Sequence, residues 1–590
     1  MRWLGLAAAT VAAGTVFAII ACSSDPSEPP PDVVGDAAAD VPFIRQCDLH
    51  CSPDLHDVVD CDGKVLRHCS ETEGCTLSGG CAPACESARV NKSTVGCEYY
   101  AVGPATDGFA DGSCYAAFVA NTWSSPVQLQ VSYDGKDLDV AQFARIPTGS
   151  GAGITYQPLP QGTLPAGQVA ILFLADFNGT ADGGAPIAQF PTRCPAGVNA
   201  AVTTSVTSAD TSAIVKAFAI KSSAPVVAYD IFPYGGAKSF ISSATLLVPT
   251  PAWGDNYIAV TAYPKVANPS IPLQQPFVQV AAAEDGTTVT VRPSVAIAGG
   301  GGVAPGAAGA PTVYNLAKGQ VLQLKQDEDL SGSVIQANKP VGVWGGNSCM
   351  AIETNESSCD SGHQQLFPAK ALGSKYVALK HKDRLPGVEE APPWRIVGVV
   401  DGTQLTYEPF TPPGAPTAVR TGEVVKFRAA GPFVVKSQDG AHPFYLSGHM
   451  TAQKSSGEDF GVGDPEFVNM VATEQFLRSY VFMTDPTMKF TNLALVRVKG
   501  PNGFADVELD CGGKVVGWQG VGNDGTLQVA RYDLVAGGVP LGQCDNGRHT
   551  IKSDQPFGLT VWGWDFTVSY AYPAGASVRP INEVVVPAVK

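Results

Sequence analysis

The chain has 590 residues and a formal net charge of −16, with 16% charged residues against 45% hydrophobic ones. That length supports several domains with cores of their own, and the acidity, with no Lys/Arg cluster of useful size, excludes a nucleic-acid binder. The 64 glycines and 46 prolines, set among short Val- and Thr-rich runs, point to an all-β chain with many turns.

The N-terminus reads as an export signal. Met1 and Arg2 form a minimal positive n-region, and Leu4 to Ile20 is an apolar stretch of 17 residues, short for a membrane span and suited to a secretory h-region. Ile19-Ile20-Ala21-Cys22 resembles a bacterial lipoprotein signal. That resemblance implies cleavage after residue 21 and acylation of Cys22, and two or three acyl chains anchor a protein stably. An ordinary signal peptide or a short uncleaved anchor is the plainer alternative. Ser23 goes with sorting to the outer membrane, so the expected location is the bacterial cell envelope, lipid-anchored. Residues 22–45 are rich in Pro and Asp with few large apolar side chains, the composition of a disordered tether.

Residues 46–97 form a Cys-rich module. With Cys22 set aside for lipid, an even number of the 15 cysteines remains, as a disulfide-bonded exported protein prefers. Seven lie from Cys47 to Cys85, and Cys97 follows. His50, His56 and His68 are interleaved, which allows a zinc reading. No CxxC pair occurs, however, so disulfides are expected and no metal. A segment this short buries little core, and bridges would replace it.

From about residue 98 the chain repeats itself. KSSAPVVAYDIF from Lys221, QANKPVGVWGGN from Gln336, KSQDGAHPFYLSGHM from Lys436 and KSDQPFGLTVWGWD from Lys552 share a proline ahead of an apolar run. The prolines are Pro225, Pro340, Pro443 and Pro556. Downstream, Tyr257, Tyr376 and Tyr480 recur in WGDNYIAV, LGSKYVAL and FLRSYVFM. DGTTVTVRP (285–293) matches DGTQLTYEP (401–409): Asp-Gly makes a tight turn and Thr-Val alternation a half-buried strand. The proline is expected to open the last strand of each unit, where its missing N–H does least harm. The fold class is therefore all-β, in tandem β-sandwich-like modules at 98–250, 251–370, 371–475 and 476–590 behind the small disulfide-rich segment. Three cysteine pairs fall one to a module: Cys114 with Cys194, Cys349 with Cys359, and Cys511 with Cys544. The Gly-rich stretch 296–311 is expected as a long flexible loop.

No catalytic constellation appears. G-x-S-x-G, H-E-x-x-H and a phosphate-binding G-x-x-x-x-G-K-[ST] are all missing. His363, His381, His442 and His449 are scattered through the middle modules. Asp176, Asn178 and Asp182, and Asp107 with Asp111, are explained by turn chemistry more simply than by calcium, the one cofactor left open. GEDFGVGDPEFVN (457–469) is more distinctive. Its Asp464 and Glu466 sit in a glycine-acid loop at a module junction, where ligand sites often lie. With Glu389 or Glu390 they are also the carboxylates a polysaccharide hydrolase would use, the less favoured reading. Trp562 and Trp564 share one face of the last repeated strand and either cover a neighbouring loop or meet a ligand.

Five runs carry a family resemblance: GCEYYAVG (96–103), AAFVANTWSSPVQLQVSYDG (116–135), HQQLFPAKALGSKYVALKHKDR (363–384), PWRIVGVVDGTQLTYEP (393–409) and GDPEFVNMVATEQFLRSYVF (463–482). Together they resemble the IgGFc-binding protein N-terminal domain, in the form of the myxobacterial-type lipoproteins that carry it behind a Cys-rich segment. The resemblance covers roughly residues 90–590. It implies a β-rich extracellular adhesion or binding role toward a protein or glycan, supplies no catalytic residue, and leaves a purely structural envelope component as the alternative.

Overall fold

A computed structural model describes residues 49–588 apart from 53–54, 61–63, 107–109, 179–190, 207–210, 272–273, 357 and 456. The signal peptide expected at 1–21, Cys22, the tether at 22–45, Cys47, Cys61, Asp107 and Asp182 all lie outside the described residues. The described chain is nearly all strand. Its longest helix is the eight-residue Ala84–Asn91 in the Cys-rich module, and no described helix is long and apolar enough to cross a membrane.

Three of the four modules are organised by one long spine strand, and in these the repeated proline lies inside it rather than at its start. Phe218–Phe232, Val334–Met350 and Arg548–Asp565 are the spines of modules 1, 2 and 4. Residues 218–222 pair with the strand Val127–Tyr133, whereas 227–231 pair with Tyr115–Ala120; Pro225 stands between. Pro340 separates residues paired with Thr287–Arg292 from residues paired with Pro276–Ala282. Pro556 likewise separates pairing to Val507–Leu509 from pairing to Phe490–Val498. A proline cannot donate to a ladder, so it fits where the strand leaves one set of partners and joins another. In module 3 the spine is split outright. Phe433–Ser437 and Phe444–Met450 belong to separate four-stranded sheets, with Pro443 just ahead of the second.

An opening strand pairs with the first half of each spine: Val95–Ala101, Gly254–Ile258, Lys375–Ala378 and Leu477–Met483. A closing strand follows each spine: Ser243–Leu246, Asp360–Gln365, Glu466–Asn469 and Val568–Pro573. The four closing strands meet at the centre of the molecule, the first and third each packing against both the second and the fourth.

Two local readings change. Ala213–Lys216 falls in module 1 by sequence but pairs with Gln320–Gln323 of module 2. The Gly-rich stretch folds back on itself: Ile297 N–H donates to Gly306 O at 2.8 Å and the Ile297 side chain is buried. Ile297 and Val303, both buried, pin it.

Six disulfides lie among the described residues. Cys51–Cys75, Cys69–Cys81 and Cys85–Cys97 hold the Cys-rich module. Cys114–Cys194, Cys349–Cys359 and Cys511–Cys544 each close a loop within one β module.

Candidate functional site

The acid loop is buried. Asp464 and Glu466 are both 0% exposed, enclosed where the closing strands converge. Asp464 Oδ1 accepts from Ser358 Oγ at 2.8 Å, and its N–H donates to Ser569 Oγ at 2.9 Å. Glu466 Oε1 accepts from its neighbour Phe467 N at 2.7 Å and Oε2 from Ala571 N at 3.3 Å. Asp360 joins them, accepting from Ser569 N at 2.7 Å and Ser361 N at 2.9 Å. Burial raises all three carboxyls well above the usual range, and the charges of Asp464 and Glu466 raise Asp360 further. Three buried acids in a closed hub tie the closing strands together, and none of them opens to solvent. Glu390 is buried too, held by the Arg384 guanidinium at 2.8 Å, and of the four carboxylates assigned to polysaccharide cleavage Glu389 alone is exposed.

Trp562 and Trp564 are also inside, 1% and 3% exposed. His381, in the loop after the opening strand of module 3, lies 5.1 Å from the Trp562 ring and 6.0 Å from Trp564. Phe490 stacks on Trp564 at 5.6 Å. The pair covers a neighbouring module's loop, and neither ring faces solvent. The reason is tertiary: the second half of the module 4 spine has strands on both sides and module 3 against its face.

The histidines do not converge. His363 and His449 are each fully buried, and burial holds both down at about 3. His442 sits at the surface on Asp439, 2.7 Å away. Asp176 accepts from Arg193 Nη1 at 2.8 Å and from Cys194 N at 3.0 Å, which ties the loop beside the Cys114–Cys194 bridge. Among the described residues, one trio of potential metal ligands clusters: Asp510, Cys511 and His549, of which Cys511 is in a disulfide.

A second kind of site, an open cleft, has no counterpart among the residues that stand out in the sequence. A cleft of about 970 Å³ lies between the Cys-rich module, module 1 and module 4. Its floor is the outer face of the first half of the module 4 spine. There His549 and Ile551 turn into the core while Arg548 and Lys552 turn out, as period two requires. Ser479 lies across from Lys552 on the opening strand. Glu508 lies across from Lys552 on the other side and pairs in turn with Lys514. Lys514 meets Asp506 at 2.5 Å.

The walls come from far away in sequence. Trp123 is fixed by Nε1–H donating to Glu71 O at 2.7 Å and by the His56 ring at 4.0 Å, so it rivets module 1 to the Cys-rich module. Asn121 and Gly167 flank it, and Ser52 and Asp57 line the Cys-rich side. The arrangement offers fixed hydrogen-bonding groups and charges of both signs. The one signal in the sequence is the run RHTIKSD (548–554), which is richer in charge than the corresponding strands of the other repeats.

A family model described as IgGFc binding protein matches residues 243–563, from the first closing strand to near the end of the last spine. The human IgGFc-binding protein is 26% identical over 358 residues, which cover 59% of this chain and 6% of that protein. The chain thus corresponds to a small part of that relative. No solved structure matches it.

Proposed function

Because the chain belongs to the IgGFc-binding protein family, we propose that it is a non-catalytic binding protein of the bacterial cell envelope, displaying its β modules to an extracellular protein or glycan. The family match across three of the four modules carries this reading. The walled cleft supports it, since a rigid polar recess built from three parts of the chain suits recognition. A lipid on Cys22 would hold the molecule at the outer membrane, with residues 22–45 as the spacer. Nothing in the reading requires a metal or cofactor.

Two measurements test it. The purified chain is exposed to arrays of extracellular proteins, human IgG Fc among them, and of glycans. Saturable binding without release of any cleavage product is expected. Product release would move the chain to the enzymes, and silence on every array, together with an envelope defect on deletion, would make it a structural component. A palmitate analogue should label the parent and leave Cys22→Ser unlabelled; label on the variant would remove the anchor.

A further inference from the structure

The C-terminal tail shows what a module face of this kind can hold. On module 2, Asn256 of the opening strand lies across from Gln336 of the spine. The tail passes over this pair. Val586 N–H donates to Asn256 Oδ1 at 2.8 Å, Asn256 Nδ2 donates back to Val586 O at 2.7 Å, and Ala588 N–H donates to Gln336 Oε1 at 3.2 Å. Asn582, Val586 and Ala588 are buried, while Glu583 and Val585 are exposed, so alternate residues of the tail face the module. Two polar side chains on adjacent strands therefore read the main chain of an extended segment.

Module 4 presents the same place empty of any described residue of the tail. The registers are fixed by the shared tyrosine. Gly254 N–H donates to the Tyr257 hydroxyl at 3.0 Å and Leu477 N–H to the Tyr480 hydroxyl at 3.0 Å, which superposes Asn256 on Ser479 and Gln336 on Lys552. Ser479 and Lys552 form the floor of the cleft. Among the described residues Leu477–Met483 has no strand partner except the spine, so its other edge is in no described ladder. The charges around it are mixed, with Arg478 and Arg548 beside Glu508 and Asp554. A mixed polar floor suits a peptide main chain with assorted side chains better than a uniformly charged polymer.

We propose that the cleft takes an extended polypeptide segment of a partner protein, gripped through its main chain by Ser479 and Lys552 as the chain's own tail is gripped by Asn256 and Gln336. This rests on the binding reading and names its site and ligand class. The walls at Asn121, Trp123 and Asp57 lie outside the segment matched by the family model and would select the side chains.

The test pans a displayed library of random peptides, about seven residues long to run the length of the opening strand, against the full chain. Enriched peptides should lose about tenfold or more in affinity on Ser479→Trp, which fills the floor, and on Lys552→Ala. Both variants should keep the parent's unfolding midpoint, and bound peptide should slow amide exchange in residues 477–483. Peptides that bind parent and both variants alike would overturn the site while leaving the binding reading in place. A chain that enriches no peptide but binds on a glycan array would overturn the ligand class. Should either variant fail to fold, the exchange footprint on the parent decides alone: protection elsewhere overturns the proposal.

Discussion

The Tyr376 hydroxyl donates to the carbonyl of Phe444 at 2.8 Å, directly after Pro443. Tyr257 does the same to Val341 after Pro340, and Tyr99 and Tyr480 do so to Val226 and Phe557. Each tyrosine thus takes up a carbonyl at the place where the spine changes partners and the ladder is interrupted. An interrupted ladder leaves backbone groups that must find other partners. Here one side chain from the opening strand supplies the donor, and the same oxygen accepts from the start of that strand, Gly373 N–H at 3.0 Å in module 3.

Tyr376→Phe removes both bonds while keeping the ring. It leaves a buried carbonyl and N–H unpaired, which costs about 2 kcal/mol. The urea midpoint should fall with an unchanged denaturant slope. Tyr257→Phe should cost a similar amount, because its geometry is the same.

The repeat was readable because its chemistry is local. A proline that must stand at a ladder break, an Asp-Gly turn and a Thr-Val alternation each leave a mark on a few adjacent residues. What the repeat could not show is which strands become neighbours. Asp464 and Glu466 look like a ligand loop when read along the chain, and only the meeting of four closing strands turns them into a buried hub. Period two correctly put Trp562 and Trp564 on one face, but that face is covered by module 3. The cleft is harder still, since its lining runs from Ser52 to Ala574 and no window of sequence contains it.

The tryptophans give a prediction that separates fold from binding. Trp562 Nε1 and Trp564 Nε1 are buried without a hydrogen-bond partner, so the rings act through bulk and through His381 and Phe490. Trp562→Ala should cost about 3–5 kcal/mol by leaving a cavity. Trp562→Phe should cost far less, because it loses no hydrogen bond. Peptide or protein binding by the folded variants should be unchanged; a selective loss of binding with stability intact would return the pair to the ligand site.

Loop length ranks the disulfides of the β modules. Cys114–Cys194 closes a separation of 80 residues, Cys511–Cys544 one of 33 and Cys349–Cys359 one of 10. Constraint of the unfolded chain predicts contributions of about 4.5, 3.7 and 2.7 kcal/mol in that order. Paired Cys→Ala variants, compared by thermal or urea unfolding, should lose stability in the same order. An inverted order would mean that packing around the bridges in the folded protein outweighs the chain-entropy effect.

Asp230 predicts a pH dependence with a definite sign. It is 2% exposed on the module 1 spine and accepts from the Tyr115 hydroxyl at 2.7 Å. Burial pushes its carboxyl up to about 8 against the lowering effect of that hydrogen bond. In the unfolded chain the group titrates near about 4. Between those values the native state holds a proton that the unfolded state has released, so rising pH draws the chain toward unfolding. Its contribution is whole below about pH 4 and is lost by about pH 8. The buried His363, held at about 3, acts in the opposite direction: its contribution is whole above about pH 6.5 and is lost on acidification. Stability of the parent is the sum of such opposed slopes, so the measurement must be a difference. Asp230→Asn cannot titrate. Relative to the parent it should therefore gain about 1.4 kcal/mol for each pH unit between about 4 and 8, and nothing below that window. Urea unfolding of both proteins across the range reads this difference directly, and a flat difference would place the Asp230 proton elsewhere.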